Sequence, residues 1–274
     1  MTRLPAFVDD FLSLPLPVLF GSLLLYWGTI AFLMHRYLVP WIAGREGRKL
    51  GRFEAEVPAQ IGLAFGLLIS FIAIPVWDQH NLAEETARSE AAAYREMSEA
   101  IEDEGGDQSR HLTQSLNDVI TFIVDQEWPK LAQLLSPQVS APPLRSLRAD
   151  IHALPAGSLH TELSDLYRHA STARETRLRI AATRPPPARW GIVGVLGILT
   201  LLGVGLIHAD SRRARRIALG MVAVGISCCF VILFAYTRPY IGQFAVQPED
   251  LKVLRTDMAT ESVLAAEGEA PKRF

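Results

Sequence analysis

Residues able to do chemistry are present in this sequence, but their spacing matches no catalytic or metal-binding pattern. None of the seven histidines belongs to an H-x-x-x-H pair beside a carboxylate, and the H-E-x-x-H, Walker and G-x-S-x-G motifs are missing. The densest polar cluster contains His160, Glu162, Asp165 and His169, and we interpret it as the solvated face of a charged helix. We therefore expect no catalytic residue, no cofactor and no metal, and we do not expect an enzyme.

One regularly spaced set of apolar residues indicates a different function. Ile61, Phe65 and Ile69 recur every four residues and so share one face of a predicted helix. In an oligomer, rings of such residues could form the neck of a pore and gate it by dewetting. Apolar residues at this spacing also occur in any helix that crosses a membrane, so packing within the protein is the alternative interpretation.

A basic cluster gives a second candidate site. Arg212, Arg213, Arg215 and Arg216 fall in a short predicted turn between two apolar stretches. The first interpretation is a topology signal that contacts anionic lipid headgroups. Two sharper hypotheses stay open, namely an anion-attracting vestibule at the mouth of a pore and a docking site for an acidic partner.

These candidate sites lie in or beside four apolar stretches with the length of a transmembrane helix, which needs about 20 mainly apolar residues. The stretches are 16–39, 57–77, 190–207 and 217–236, and none has an acidic or basic residue near its centre. Because a charge there costs about 2.5–3.5 kcal/mol on insertion scales, this pattern predicts four membrane spans. Aromatic residues stand near the span ends, as expected at membrane interfaces; they are Tyr37, Trp41, Trp77, Trp190, Tyr236 and Tyr240.

Basic residues near the span ends predict the orientation in the membrane. Short loops rich in Lys and Arg usually face the cytoplasm. The first loop contains Arg36, Arg45, Arg48, Lys49 and Arg52, and the second contains the four arginines of the basic cluster. We expect both loops in the cytoplasm, and both termini and the central region in the periplasm.

The region between spans two and three is predicted to be helical. A helix over 79–104 should continue directly from span two, with Ala87, Ala91, Tyr94 and Ile101 on one face. Further helices are predicted over 109–127, 129–135, 144–154 and 159–183. Close contacts between spans are expected at small residues; these are Gly62, Gly66, Gly191, Gly194 and Gly197.

The predicted fold class is an all-α membrane protein. Four transmembrane helices form two hairpins, and a helical soluble region is inserted between spans two and three. The corresponding domains are a hairpin over 1–78, a helical region over 79–189, a hairpin over 190–237 and a tail over 238–274. The formal net charge of -2 argues against nucleic acid as a partner.

Several short motifs, taken in order, resemble the bestrophin-like domain family of bacteria and plants. A polar helix over 81–94 follows span two, and Glu127-Trp128-Pro129 stands in the middle of the chain. After span four come Arg238-Pro239-Tyr240-Ile-Gly242 and then Pro248-Glu249-Asp-Leu251. With the four-span plan, these motifs extend the resemblance over nearly the whole chain.

The resemblance implies a distant likeness to bestrophins, which are pentameric anion channels whose pore is lined by the second span. It implies a multi-pass protein of the bacterial inner membrane that contacts membrane lipids, forms homo-oligomers and conducts anions, with Ile61, Phe65 and Ile69 as neck residues. Bestrophins keep their large helical portion in the cytoplasm, opposite to the side that the arginines predict here. The alternative function is a non-conducting scaffold or sensor whose extramembrane helical region binds a partner.

Overall fold

A computed structural model describes residues 11–44, 55–134, 136–184 and 187–268, and this part of the chain is helical with no β-strand. The main helices are α1 (Leu16–Ala43), α2 (Glu56–Glu104), α3 (Gly106–Phe122), α4 (Pro142–His152), α5 (Ser158–Ala182), α6 (Pro187–Ile207), α7 (Arg212–Thr237) and α8 (Glu249–Gly268). A π-helical turn (Ile123–Glu127) and a 3₁₀ helix (Trp128–Gln133) follow α3. The all-helical prediction is confirmed for these residues.

Four of the helices, α1, α2, α6 and α7, are long and apolar enough to cross a membrane. Each contains one of the predicted spans. The start of α7 corrects one prediction: the four arginines of the basic cluster belong to the first turns of the helix and not to a turn before it. The hydroxyl of Ser211 caps this end by accepting a hydrogen bond from the backbone N–H of Ala214 at 3.4 Å.

The helices divide between two compact units. The membrane unit comprises the described residues of Met1–His80 and Arg184–Ala245, and the helical unit comprises those of Asn81–Thr183 and Val246–Phe274. Helix α2 contributes to both, because it runs without a break from Glu56 to Glu104 and contains Pro75 in its interior. The prediction that a helix over 79–104 continues directly from span two is confirmed.

The core of the membrane unit is formed chiefly where α1 and α7 pack together. Trp27 of α1 is almost fully buried, and its ring centroid lies 5.5 Å from that of Phe230 on α7. Val193 and Leu201 bring α6 into the same core. Tyr37, Trp41 and Trp77 are exposed, as expected for interfacial aromatic residues, whereas Tyr240 is buried inside this unit and is not such an anchor.

Among the described residues of the four membrane-crossing helices, three glycines allow the closest approaches, and only one of them is predicted. A Cβ atom on Gly197 would lie 2.9 Å from the Trp27 ring, one on Gly203 would lie 2.7 Å from Pro58, and one on Gly205 would lie 2.8 Å from Val39. Among the other predicted packing glycines, Gly62 has Thr200 at an ordinary distance of 3.8 Å, and the rest have open space; these are Gly66, Gly191 and Gly194. Small residues therefore do bring the spans together, but mainly at different positions.

The helical unit has its own apolar core, built from α2, α3, α4, α5 and α8. The predicted stripe on α2 is buried, with Tyr94 and Ile101 each 1% exposed. Helix α8, in the segment predicted only as a tail, contributes Leu251 and Leu254 to the buried residues. Arg255 of α8 also forms an ion pair with Asp125 at 2.9 Å. Position 135, at the end of the predicted helix 129–135, lies outside the described residues.

Candidate functional site

The predicted neck residues of span two face the inside of the membrane unit. Phe65 is 8% exposed and belongs to the apolar core, next to Gly197 of α6. Ile61 and Ile69 are half-buried on the same face of α2. Phe65 thus contributes to the core of its own chain, and its assignment with Ile61 and Ile69 to a pore neck stays a prediction.

The opposite face of span two is apolar and exposed. Leu63, Leu67, Phe71 and Ile74 recur at helical spacing, and each is more than half exposed. In its most apolar stretch α2 is also the least enclosed span, with 11% of residues buried against 39% for α7. This face is therefore the part of span two that lipid, a second subunit or a pore can contact.

The basic cluster forms a strongly positive end of α7. Arg212, Arg213 and Arg216 are exposed, whereas Arg215 is only 4% exposed. The four side chains form no ion pair with a carboxylate of the described residues. Because the amino-terminal end of a helix carries a partial positive charge, the helix adds to the field of the arginines.

Arg215 is held by two neutral partners. Its Nε atom donates to Nδ1 of His35 at 3.3 Å, and its Nη1 atom donates to the backbone oxygen of Ala209 at 3.2 Å. His35 lies in the π-helical segment of α1 (Met34–Leu38), where the chain widens by one residue per turn. The cluster thus concentrates positive charge at one end of the membrane unit. The basic residues predicted in the first loop at 45, 48, 49 and 52 lie outside the described residues.

The motif after span four packs against the segment that precedes α1 in the membrane unit. Arg238, Pro239 and Tyr240 are buried, and Gly242 adopts a left-handed backbone with φ of 88°. A Cβ atom on Gly242 would lie 2.9 Å from the backbone oxygen of Leu12, so the motif packs directly on the chain that leads into α1. This geometry gives the four predicted motif residues a structural role.

The helical unit contains a buried ionic cluster that joins α2, α5 and the π-helical turn after α3. Arg177, which is fully buried, donates from Nε to Glu90 at 2.6 Å and from Nη2 to Glu127 at 2.7 Å. Arg174 pairs with both carboxylate oxygens of Glu127. Two arginines and two glutamates leave the cluster formally neutral, so the attraction between the charges and their hydrogen bonds offset the cost of desolvating them.

Aromatic side chains enclose the ionic cluster. The guanidinium of Arg177 lies 4.6 Å from the ring centroid of Trp128, and the indole N–H of Trp128 donates to the backbone oxygen of Val246 at 3.1 Å.

Burial, with the charge of Glu90, raises the pKa of Tyr94 well above its usual value. Burial alone would lower the pKa of Arg177, but the charges and hydrogen bonds of Glu90 and Glu127 outweigh it and raise that pKa. Tyr94 is therefore neutral and Arg177 charged.

This cluster is not predicted from the sequence. Glu127 and Trp128 belong to a predicted motif, but no sequence pattern pointed to Arg174 or Arg177 as their partners. One signal was present: the two arginines share the buried face of α5 with Ala170, Ala173 and Ala181, where a solvated helix would place no charge. The exposed polar cluster of α5 behaves as predicted, since Asp165 is 62% exposed and pairs with its neighbour Arg168.

Comparison with protein families resolves the identity of the chain. The sequence profile of the Bestrophin-like domain matches residues 55–251, which is most of the chain. The chain belongs to the bestrophin-like family. Comparison with curated proteins found no match, and comparison with solved structures found none either.

The extent of the match links the bestrophin-like domain to the features described above. It covers α2 to α7 and the first turn of α8, and so includes the basic cluster, the ionic cluster and the motif after span four. It begins after α1, although the predicted resemblance covers nearly the whole chain. With four helices able to cross a membrane, the bestrophin-like chain is a membrane protein.

Proposed function

We propose that this bestrophin-like protein forms a homo-oligomeric channel for small anions in the bacterial inner membrane. The main support for this proposal is the basic cluster. Its four arginines stand at one end of a membrane-spanning helix, and none has a carboxylate partner among the described residues. Such a field raises the local concentration of anions and repels cations. The proposed activity is transport rather than catalysis and requires no cofactor or metal.

The exposed face of span two is the proposed lining of the pore. Bestrophins line their pore with the second span, and here that span presents Leu63, Leu67, Phe71 and Ile74 outward. Rings of these side chains around an oligomer axis would form an apolar constriction, which conducts only when it is hydrated. This proposal replaces the inward-facing set Ile61, Phe65 and Ile69.

The proposed arrangement in the membrane follows from the basic residues. The spans form two hairpins whose connecting loops face the cytoplasm, and the helical unit and both termini face the periplasm. Arg36 and the four arginines of α7 supply the basic residues that the structure describes near these loops. Lipids surround the oligomer on its remaining apolar faces.

The arrangement predicts that a periplasm-dependent reporter is active when fused at Gly106 and inactive when fused at Gly47.

The proposed pore lining can be tested in liposomes that contain the purified protein. Replacing Leu67 with serine should raise chloride flux severalfold, because a polar ring lowers the barrier to hydration of the constriction. The matched control is Leu25→Ser, which changes an exposed leucine of α1; Leu25 is 73% exposed and Leu67 is 56% exposed. We expect the control to match the unmodified protein.

Two results would contradict the pore lining: equal flux through Leu67→Ser and the unmodified protein, or equal stimulation by Leu25→Ser. If the unmodified protein carries no flux at all, the alternative function applies. The protein would then be a membrane-anchored scaffold or sensor whose helical unit binds a partner.

A further inference from the structure

A groove of about 790 Å³ lies in the helical unit, between α4, α5 and the loop that leads into α4. This volume falls in the range of small-molecule sites. Five of its side chains are basic or can become so, against one acid, Glu175; the five are Arg145, Arg148, His152, Arg168 and Arg174. The groove belongs to neither the basic cluster of α7 nor the proposed pore.

Two of the arginines in the groove lack a compensating negative charge. Arg174 is paired with Glu127, and Arg168 is paired with Asp165 at 3.0 Å. Arg145 instead donates to the hydroxyl of Ser140 at 3.4 Å, and Arg148 donates to Nε2 of His152 at 3.4 Å. Neither Arg145 nor Arg148 forms an ion pair with a carboxylate of the described residues.

Hydroxyl groups and an apolar floor complete the groove. Tyr167 donates its hydroxyl proton to the backbone oxygen of Leu144 at 3.0 Å, so this hydroxyl is already used as a donor. The hydroxyl of Ser164 is buried and has no hydrogen-bond partner among the described residues. Leu144 and Ile151 supply apolar surface. The groove therefore combines unneutralised guanidinium groups and an apolar wall, and the residue with the unsatisfied buried hydroxyl, Ser164, is among those that line it.

We propose that this groove binds a small ligand that carries a phosphate group. Arg145 and Arg148 stand one helical turn apart on α4, and guanidinium groups bind phosphate oxygens through paired, charge-assisted hydrogen bonds. Rotation of the Ser164 side chain toward the groove would let its hydroxyl donate to a phosphate oxygen, which would satisfy it. The apolar wall fits the organic part of a phosphate ester. The phosphate can belong to a soluble metabolite or to a lipid headgroup, and the inference does not depend on ion conduction.

Titration calorimetry on the purified full-length protein in detergent tests the site with three probes: pyrophosphate, glycerol phosphate and dihexanoyl phosphatidic acid. The test variant is Arg145→Gln with Arg148→Gln. The control is Arg88→Gln with Arg179→Gln, which removes two charges from exposed positions of the same unit outside the groove. We expect the test variant to bind at least one probe about tenfold more weakly or worse, and the control to stay within about twofold.

The pattern across the probes identifies the source of the phosphate. Groove-dependent binding of glycerol phosphate indicates a soluble ester, and groove-dependent binding of the phosphatidic acid alone indicates a lipid headgroup. Arg148→Lys keeps the charge but loses the planar fork, so it should bind with intermediate affinity. The proposal is overturned if no probe binds saturably, or if the test and control variants lose affinity equally. Since binding is measured without ion flux, this result is independent of the channel proposal.

Discussion

Replacing Arg177 with methionine should destabilise the helical unit by about 3–5 kcal/mol, the range found when one partner of a buried ion pair is removed. The side chain is fully buried, and its loss would leave Glu90 without its cation and Glu127 with only Arg174. Neither carboxylate could be solvated without opening the packing around Trp128. Thermal or denaturant unfolding of the detergent-solubilised protein, followed by circular dichroism, measures the change.

The same experiment includes two comparisons. Arg179→Met lies on the exposed side of the same helix and should change stability by no more than about 0.5 kcal/mol. The double variant Arg177→Met with Glu90→Leu should be more stable than Arg177→Met alone, because it removes the unpaired charge with its partner. If Arg177→Met and Arg179→Met have similar stability, the ionic cluster is not the element that holds α2, α5 and the π-helical turn together.

Replacing Gly242 with valine should destabilise the membrane unit by about 1–3 kcal/mol from backbone strain alone, since a φ of 88° is unfavourable for any residue with a Cβ atom. The clash with the backbone oxygen of Leu12 at 2.9 Å adds to this effect, because that oxygen cannot rotate away as a side chain would. A lower midpoint of thermal unfolding and a reduced yield of folded protein are the expected results.

Gly225→Ala is the control for Gly242→Val. Gly225 lies within α7, and a Cβ atom there would meet no atom within 4 Å. Alanine favours a helix more than glycine does, so this variant should be as stable as the unmodified protein or slightly more stable. An unfolding midpoint for Gly242→Val equal to that of the control would show that the motif after span four does not fix the start of α1.

The fold was largely predictable because the sequence separates apolar from charged residues so strongly. The four spans follow from length and the absence of central charges, and the buried stripe of Ala87, Ala91, Tyr94 and Ile101 follows from helical spacing. Gly105, with a φ of 67°, marks the end of α2 as glycine typically does. In each case the signal lies in one continuous segment of the chain.

The candidate sites were less predictable because they depend on contacts between distant segments. Arg177 finds its partners 87 and 50 residues away, and no local pattern indicates which charges will pair. Periodicity placed Ile61, Phe65 and Ile69 correctly on one face of α2, but it could not show whether that face points inward or outward. The helical start of α7 was also missed, because hydropathy marks where an apolar stretch begins and not where its helix begins. The helix after Pro248 was missed although Leu251, Leu254 and Met258 follow helical spacing.

Anion conduction is the function proposed for this bestrophin-like protein. Its most direct test is the reversal potential of the purified protein in a planar lipid bilayer with different concentrations of potassium chloride on the two sides. We expect a conductance whose current reverses near the equilibrium potential of chloride. A current that reverses near the equilibrium potential of potassium, or no protein-dependent conductance, would contradict it.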